Sequence, residues 1–211
     1  MTRTRALVAL VLVLIAAAVG GWAFWHYEAR WWPKTVTRHQ AQIVRILESS
    51  GWASPGLQGK RLYMVSFRTC PDCIRFTEEE FPKLHAKGVD TRVIEIARRD
   101  RNGVSKSTPA ERATVAQLWL THDWKLLQAW EAAPADAWKA QGIPPADGDM
   151  ARTAVIEAGR KMVDDLTPLM KANGVKFAYP LLVWWDDKGR MRACACEKRE
   201  TYRFVRRELD I

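Results

Sequence analysis

The sequence predicts a mixed α/β domain with a mostly helical insertion, preceded by an N-terminal transmembrane helix. Three observations lead to this fold class. Residues 6–25 form an apolar run without a charged side chain, and strand-like and helix-like segments alternate from residue 61 onward. Between the strand segments, residues 105–175 form a mostly helical block. A chain of 211 residues, 48% of them hydrophobic, has room for one domain with its own core plus such an appendage.

The apolar run at residues 6–25 predicts a transmembrane helix. At about 1.5 Å per residue, it is long enough to cross a hydrocarbon layer roughly 30 Å thick. Arg3 and Arg5 precede it, and because positive flanks stay in the cytoplasm, everything after about residue 30 is expected outside. The sequence therefore predicts a single-pass protein of the bacterial inner membrane, anchored by residues 1–32, with its C-terminal domain in the periplasm.

The far end of the apolar run favours an anchor that is retained. Aromatic side chains, whose rings prefer the level of the lipid headgroups, crowd this end: Trp22, Trp25, Tyr27, Trp31 and Trp32. The alternative is a cleaved signal peptide and a soluble periplasmic protein, because Ala16, Ala17 and Ala18 offer small residues to a peptidase. We favour retention because the apolar run continues past these alanines.

The following segment, residues 33–59, is predicted to be a stalk helix and a linker. Apolar residues at helical spacing favour a short amphipathic helix between residues 35 and 49, which Gly51 and Pro55 bring to an end. Residues 60–211 are predicted to form the soluble domain.

The soluble domain begins with a strand at residues 61–67 that runs directly into a helix beginning near Cys70. Pro82 is expected to kink or restart this helix. The elements expected after it are a strand at 89–96, a basic loop at 97–106, a helix at 108–130 that starts with a capping box, a connection at 132–149, a helix at 150–172, strands at 177–185 and 191–196, and a final helix at 198–209.

The chain is basic. It has 33 Lys and Arg against 24 Asp and Glu, a formal net charge of +9. A positive balance favours anionic partners or a membrane surface but does not by itself indicate nucleic acid, and we predict no nucleic-acid partner. The sequence also lacks phosphate-loop, dinucleotide-binding and serine-hydrolase motifs.

The motif Cys70-Pro71-Asp72-Cys73 is the strongest chemical signal in the chain. Two cysteines at this spacing at a helix start lie within disulfide reach, and the first faces the unpaired N–H groups of the helix. Cys70 is therefore predicted to be the exposed, low-pKa nucleophile, and Cys73 the more buried thiol that resolves a mixed disulfide with substrate. The alternatives are an inert disulfide or a zinc half-site, although zinc needs four ligands and the chain offers no second well-spaced pair.

Two segments of the chain resemble a known family. LYMVSFRTCPDC, followed by a helix, and FAYPLLVWWDDKG far downstream look like the two halves of a thioredoxin-like fold. The helical block between them resembles the insertion of periplasmic thiol-disulfide oxidoreductases of the Dsb type. The resemblance covers about residues 60–210 and implies an enzyme with a redox-active disulfide, no cofactor and no bound metal.

The resemblance also implies how substrate binds. In that family a proline with a cis peptide bond faces the active-site cysteines and helps to bind the substrate chain, and Pro180 after Tyr179 matches it. The substrate-binding residues implied in this way are Thr69, Pro71, Asp72, Tyr179 and Pro180.

Two features depart from the family. Thioredoxins proper carry a buried acid in the strand before the motif, and the matching position here is about Met64, so a proton-accepting carboxylate is missing there. The N-terminal dimerisation domain of the soluble isomerases is also absent, and a membrane anchor stands in its place. This favours a tethered reductase or oxidant, whose direction of electron flow the sequence does not set.

A second cysteine pair, Cys194 and Cys196, follows in the last predicted strand. Residues two apart on a strand point to the same face, with Cα atoms about 6.6 Å apart, which predicts a strained and easily reduced disulfide. We treat the pair as a candidate second redox pair that exchanges electrons with Cys70 and Cys73 or regulates them. The alternative is two small buried thiols without a redox function.

These observations predict a membrane-anchored, periplasm-facing thiol-disulfide oxidoreductase that acts on protein disulfides or thiols and has a redox partner in the membrane. Two other classes of function stay open. Soft thiolates suit copper(I), so a copper chaperone is one alternative. A tethered partner-binding module of an envelope assembly is the other.

Overall fold

The computed structural model describes residues 3–211, apart from the side chains of residues 3–6 and 9. The chain divides after Trp32 into two compact units. The first contains helix α1 (Arg3–Tyr27) and a short 3-10 helix (Ala29–Trp31). Within it, Leu10–Trp31 is long and apolar enough to cross a membrane, a test that a signal sequence also passes. The side chains of Arg3 and Arg5, on which the predicted orientation depends, lie outside the described residues.

The second unit is built on a five-stranded sheet with the order β1-β5-β4-β2-β3. The parallel pair is β2 and β3, and the other neighbours are antiparallel. The elements are β1 (Lys34–Thr35), α2 (Gln40–Glu48), β2 (Arg61–Ser66), α3 (Pro71–Ala86), β3 (Asp90–Glu95), α4 (Pro109–Thr121), α5 (Trp124–Ala132), α6 (Met150–Ala172), β4 (Leu181–Trp185), β5 (Met191–Ala195) and α7 (Arg199–Leu209).

The register of the strands brings three chain segments to one edge of the sheet. Val65 near the end of β2 pairs with Leu181 at the start of β4, and Leu181 pairs with Ala195 at the end of β5. The segment that follows β2, the segment that precedes β4 and the segment that follows β5 therefore meet at this edge. These are the segments that contain Cys70, Pro180 and Cys196.

The sheet is covered on both faces, which explains why the central strand β4 and residues 62–65 of β2 are continuously apolar. In β2, Leu62 and Met64 belong to a core shared with residues of α3 and α7, such as Phe76 and Tyr202. The alternating residues of β2, including Tyr63, belong to the opposite core, which α2 and α6 complete.

The structure corrects the expected elements at two helices. Helix α3 continues through Pro82, because Phe81 and Leu84 are buried and hold its last turns against the core. The single helix expected at 108–130 is two helices. His122 takes a left-handed conformation with φ of 55°, and Asp123 caps α5 by accepting hydrogen bonds from the backbone of its first turn.

The N-terminal part of the second unit differs as well. The helix expected between residues 35 and 49 is shorter, since residues 34 and 35 pair with β5 as strand β1. The side chain of Asn173, at the end of α6, accepts hydrogen bonds from the backbone N–H groups of Thr37 and Arg38, both at 2.8 Å. Residues 33–38 are therefore attached to the domain rather than forming a free stalk.

Candidate active site

Cys70 and Cys73 form a disulfide at the beginning of α3, with Cα atoms 5.2 Å apart. Cys70 is the N-cap residue in an extended conformation, and its sulfur accepts a hydrogen bond from the backbone N–H of Cys73 at 3.1 Å. Pro71 occupies the first helical position, where its missing N–H costs nothing. The positive end of the helix dipole thus lies at the Cys70 sulfur, a position that favours a thiolate once the disulfide is reduced.

The exposure expected for Cys70 is wrong in this oxidised state. The two cysteines are equally covered, with 3% of Cys70 and 2% of Cys73 exposed. Cys70 is buried because its sulfur turns into the first turn of α3, toward Cys73. Residues beside it are open to solvent, among them Thr69, Pro71 and Ile74.

The peptide bond between Tyr179 and Pro180 is cis, as the resemblance implies. Pro180 is buried and Tyr179 is half-buried, which raises the pKa of the Tyr179 phenol to about 12. The Tyr179 ring packs edge-on against Phe67, with ring centroids 5.1 Å apart. Because Phe67 lies three residues before Cys70, this contact brings the loop before β4 next to the segment that leads into the disulfide.

The other residues predicted to bind substrate lie at the same edge. Thr69 is exposed, and its hydroxyl accepts a hydrogen bond from Arg98 at 2.9 Å. Arg98 also stacks on Phe67, with its guanidinium carbon 4.2 Å from the ring centroid. Asp72 is half-buried and accepts a hydrogen bond from Arg75 at 2.5 Å.

A cavity of about 60 Å³ adjoins the disulfide at Cys73. Cys73 lines it together with Arg68, Glu95 and Glu131. Glu95 ends strand β3 and is 4% exposed, whereas Glu131 comes from α5 in the helical insertion. Glu78 also lines this cavity and is exposed to solvent. The cavity is roomy and polar enough to admit water.

The two cavity carboxyls hold protons at neutral pH more tightly than ordinary glutamates. Burial is the main cause of a Glu95 pKa of about 8, and the charge of Glu131 raises it further. Burial likewise raises the pKa of Glu131 to about 7, against the lowering effect of Arg68. Glu95 Oε2 and Arg68 Nε have no hydrogen-bond partner among the described residues. The cavity therefore contains titratable groups that change protonation near neutral pH, next to a cysteine.

Neither a protein-family model nor a curated protein sequence matches the chain. Solved structures do. A periplasmic thioredoxin-like protein from Salmonella enterica serovar Typhimurium is 16% identical, with a TM-score of 0.51 over 83% of this chain and 100% of that chain. BcfH from Salmonella enterica Typhimurium is 16% identical, with a TM-score of 0.52 over 99% of this chain and 93% of that chain.

The chain has a thioredoxin-like fold. At this level of identity the likeness establishes the fold, and it confirms the fold class that the sequence predicts. Within this fold, α3 begins directly after Cys70, and the segment before β4 contains the cis peptide bond.

The sequence reasoning missed Glu95. It looked for an acid near Met64 in β2, where the thioredoxin-like pattern would have one, and found none. In the folded sheet, Met64 pairs with Val93 and Ser66 pairs with Glu95, so Glu95 lies on the same face as Met64 but on the next strand. The available signal was an acidic residue near the end of the predicted strand 89–96. Glu131, about 60 residues after the motif, carried no signal of its own.

The second cysteine pair, Cys194 and Cys196, also forms a disulfide. The Cα atoms are 5.2 Å apart rather than the 6.6 Å of an extended strand, because β5 ends at Ala195. The Cα separation expected from an extended backbone is therefore wrong. Cys194 is 7% exposed and Cys196 is fully buried. The backbone N–H of Cys196 donates to the carbonyl of Pro180 at 2.9 Å, which attaches this pair to the cis-proline loop.

Among the residues that the structure describes, no group of three or more His, Cys, Asp or Glu side chains is arranged to hold a metal ion.

Proposed function

We propose that this protein is a thiol-disulfide oxidoreductase of the Dsb type that acts on protein disulfides or thiols through Cys70 and Cys73. The carrying observation is a disulfide at the start of α3 beside a cavity with two carboxyls of raised pKa. A structural disulfide would not need titratable groups next to it, whereas thiol exchange must move protons at each step.

The proposed reaction consists of two exchanges. In the reductive direction, the Cys70 thiolate attacks one sulfur of a substrate disulfide, a mixed disulfide forms, and the other substrate sulfur leaves as a thiolate that takes up a proton. The Cys73 thiolate then attacks Cys70, and the second substrate sulfur leaves. Two electrons pass to the substrate, and the Cys70–Cys73 disulfide remains. The oxidative direction is the same sequence in reverse.

Glu95 is the proposed proton acceptor for Cys73. A thiol has an ordinary pKa of about 8.5, so a base with a pKa of about 8 is well matched to take its proton. Both groups line the same cavity, which also reaches the exposed Glu78. The proton can thus return to solvent without passing through the substrate.

Substrate is proposed to lie across the edge formed by Thr69, Ile74 and the loop at Tyr179 and Pro180. Ile74 is 40% exposed beside Cys73, and the edge also offers the ring of Phe67. Apolar and polar groups are thus interspersed around the cysteines, which suits an unfolded or extended protein segment. We also propose that the protein is anchored in the bacterial inner membrane with its second unit in the periplasm, and that its redox partner is a membrane protein. The length and composition of the apolar span support the anchor, and Arg3 and Arg5 before it support the orientation.

The deciding experiment is a redox titration of the full-length protein in detergent, in glutathione buffers of graded potential. Alkylation and mass spectrometry report the oxidation state of each cysteine separately. Cys70 and Cys73 are expected to titrate together as a two-electron couple. A potential near −270 mV would assign a reductant and one near −120 mV an oxidant.

Two matched variants accompany this titration. Cys73→Ser is expected to accumulate a mixed disulfide between Cys70 and an unfolded test protein that contains a disulfide, because the Cys70 thiolate attacks that disulfide and no Cys73 thiol follows to release it, whereas Cys70→Ser is expected to accumulate little. The proposed function would be contradicted if Cys70 and Cys73 failed to titrate. It would also be contradicted if both cysteines stayed unreactive and the protein copurified with copper.

A further inference from the structure

We propose that Cys194 and Cys196 are a second redox centre that exchanges two electrons with the active-site pair through Cys73. This inference rests on the proposed function, since it requires that Cys70 and Cys73 cycle between disulfide and dithiol. The two cysteine pairs together would then store up to four electrons. The inner pair, Cys194 and Cys196, would be reduced or oxidised only through the outer pair, Cys70 and Cys73.

The two pairs face the same layer of the fold. Cys194 pairs in register with Leu182, and both side chains belong to the core between the sheet and α3. Cys196 belongs to the same core, together with Phe76 of α3 and Tyr202 of α7. Cys73 lies one turn before Phe76 on the buried side of α3. The inner disulfide therefore lies beneath the helix whose first turn contains the outer one.

Arg75 ties the two cysteine segments together. It donates to Asp72, inside the active-site motif, at 2.5 Å and to the carbonyl of Glu197, directly after Cys196, at 2.7 Å. On the other side, the backbone N–H of Cys196 donates to the carbonyl of Pro180. The segment at Cys196 is thus fastened both to the first turn of α3 and to the cis-proline loop.

Burial restricts how the inner disulfide can react. Cys196 is fully buried, so a thiol in solution does not reach its sulfur without opening of the core, whereas Cys194 is 7% exposed. Cys73 is covered as well, but it becomes a free thiol whenever Cys70 is reduced or occupied by substrate. Glu95 next to Cys73 supplies the base that generates its thiolate.

The two electrons pass between the pairs in two successive thiol–disulfide exchanges. With the active-site pair reduced and the inner pair oxidised, the Cys73 thiolate attacks Cys196, a Cys73–Cys196 bond forms, and Cys194 leaves as a thiolate that takes up a proton. Cys70 then attacks Cys73, which releases Cys196 as a thiolate that takes up the second proton. The active-site pair loses two electrons and becomes a disulfide, and the inner pair gains two electrons and becomes a dithiol.

The first test compares the reduction of the inner disulfide by dithiothreitol in the full-length protein and in its Cys70→Ser/Cys73→Ser variant. Samples are quenched with a maleimide at timed intervals, and peptides containing Cys194 and Cys196 are quantified by mass spectrometry. Reduction is expected to be about tenfold or more slower in the variant, because the buried Cys196 sulfur then has no reduced Cys73 within the fold to attack it. Equal rates, or an inner disulfide that stays oxidised in both proteins, would overturn the proposal.

The second test traps the bond between the pairs. The variant Cys70→Ser/Cys194→Ser retains Cys73 and Cys196, and mild oxidation with diamide is expected to give an intramolecular Cys73–Cys196 disulfide in the monomer. The matched variant Cys70→Ser/Cys196→Ser retains Cys73 and Cys194 and is expected to give less, because Cys194 lies two residues further from the Arg75 contact. Absence of the first bond, or equal yields in the two variants, would contradict attack on Cys196.

The two proposals fail in different ways. If Cys70 and Cys73 do not titrate, the proposed function fails. If they titrate normally but the reduction of Cys194 and Cys196 does not depend on them, only the proposal of a second redox centre fails. Far-ultraviolet circular dichroism of each variant confirms that the comparison is made between folded proteins.

Discussion

At the scale of single residues, Glu95 is the buried carboxyl to which the proposed proton transfer from Cys73 is assigned. Its neighbours explain its pKa: the side chain is buried at the end of β3, Glu131 adds a second carboxyl, and Arg68 only partly offsets both. Arg68 itself donates to the carbonyl of Ala133 in the insertion. A carboxylate next to Cys73 is thus supplied by the fold at a place different from the one that the sequence pattern indicates.

Replacing Glu95 by glutamine is expected to slow thiol exchange. Gln keeps the shape of the side chain but cannot accept the proton of Cys73, so the resolving step at neutral pH should slow by about tenfold or more. Stopped-flow measurement of single-turnover reduction of a model disulfide tests this. Glu78→Gln, which alters an exposed residue of the same cavity, serves as the control and is expected to change the rate much less.

The same variant is expected to change the pH dependence of stability. The Glu95 pKa is about 8 in the folded protein against an ordinary value of 4.5, so between these values the folded state binds more protons than the unfolded state. Stability of the native protein therefore falls as pH rises from about 4.5 to 8. Glu95→Gln removes this contribution, and its melting temperature relative to that of the native protein should rise over this range. A difference in melting temperature between the two proteins that stays constant with pH would contradict the raised pKa of Glu95.

Asp72 is expected to make the active-site pair less oxidising. Its carboxylate lies in the first turn of α3, near the position of the Cys70 thiolate, which it repels. Asp72→Asn removes this repulsion and frees Arg75, so the reduced form gains stability and the potential should rise by on the order of 5 to 20 mV. Redox titration measures the shift. Glu79→Gln, further along the same helix, should leave the potential unchanged, and a fall in the Asp72→Asn potential would refute the argument.

At the scale of elements, the helical insertion is fastened to the sheet at the site. The indole N–H of Trp119 in α4 donates to the carbonyl of Glu95 at 2.8 Å, and Arg160 in α6 donates to the carbonyl of Ala97 at 3.1 Å. Helix α5 supplies Glu131 to the cavity. The insertion is therefore part of the site's wall, and its packing is expected to matter for both stability and chemistry.

Gly51 is the position at which this packing is most sensitive. A Cβ atom there would lie 2.3 Å from the Cα atom of Trp119, a distance that only backbone movement relieves. Gly51→Ala is therefore expected to destabilise the protein by about 1 to 3 kcal/mol or more, measured by urea unfolding. Gly159→Ala places its Cβ 3.1 Å from the Trp119 ring and gains helix propensity, so it should cost far less. Equal losses in the two variants would contradict this account.

At the scale of the whole molecule, the proposed location in the membrane depends on the first unit. If the apolar span is a retained anchor, the full-length protein should stay in the membrane fraction after an alkaline carbonate wash and should keep its original N-terminus. Mass spectrometry of the purified protein measures that N-terminus. A soluble product that begins shortly after Ala16 to Ala18 would instead establish a cleaved signal peptide.

The sequence by itself determined the fold class and the order of most elements. Strand 61–66, the helix after Cys70, the capping box of α4 with Thr108 and Glu111, and helix α6 all follow from local patterns. Local rules suffice there because periodic burial and capping act within a few residues of sequence. The same rules failed at Pro82 and at His122, where packing of the neighbouring turns and a bond from His122 to the carbonyl of Trp52 decide the outcome.

Only the tertiary structure decided what surrounds the cysteines. Glu95 and Glu131 are far apart in sequence, and their pKa values rise because both are removed from water in one cavity beside Cys73. The link from Asp72 through Arg75 to Glu197 likewise joins residues more than 100 positions apart. Burial and charge coupling depend on which strands become neighbours, and that information is distributed over the whole chain rather than contained in any one motif.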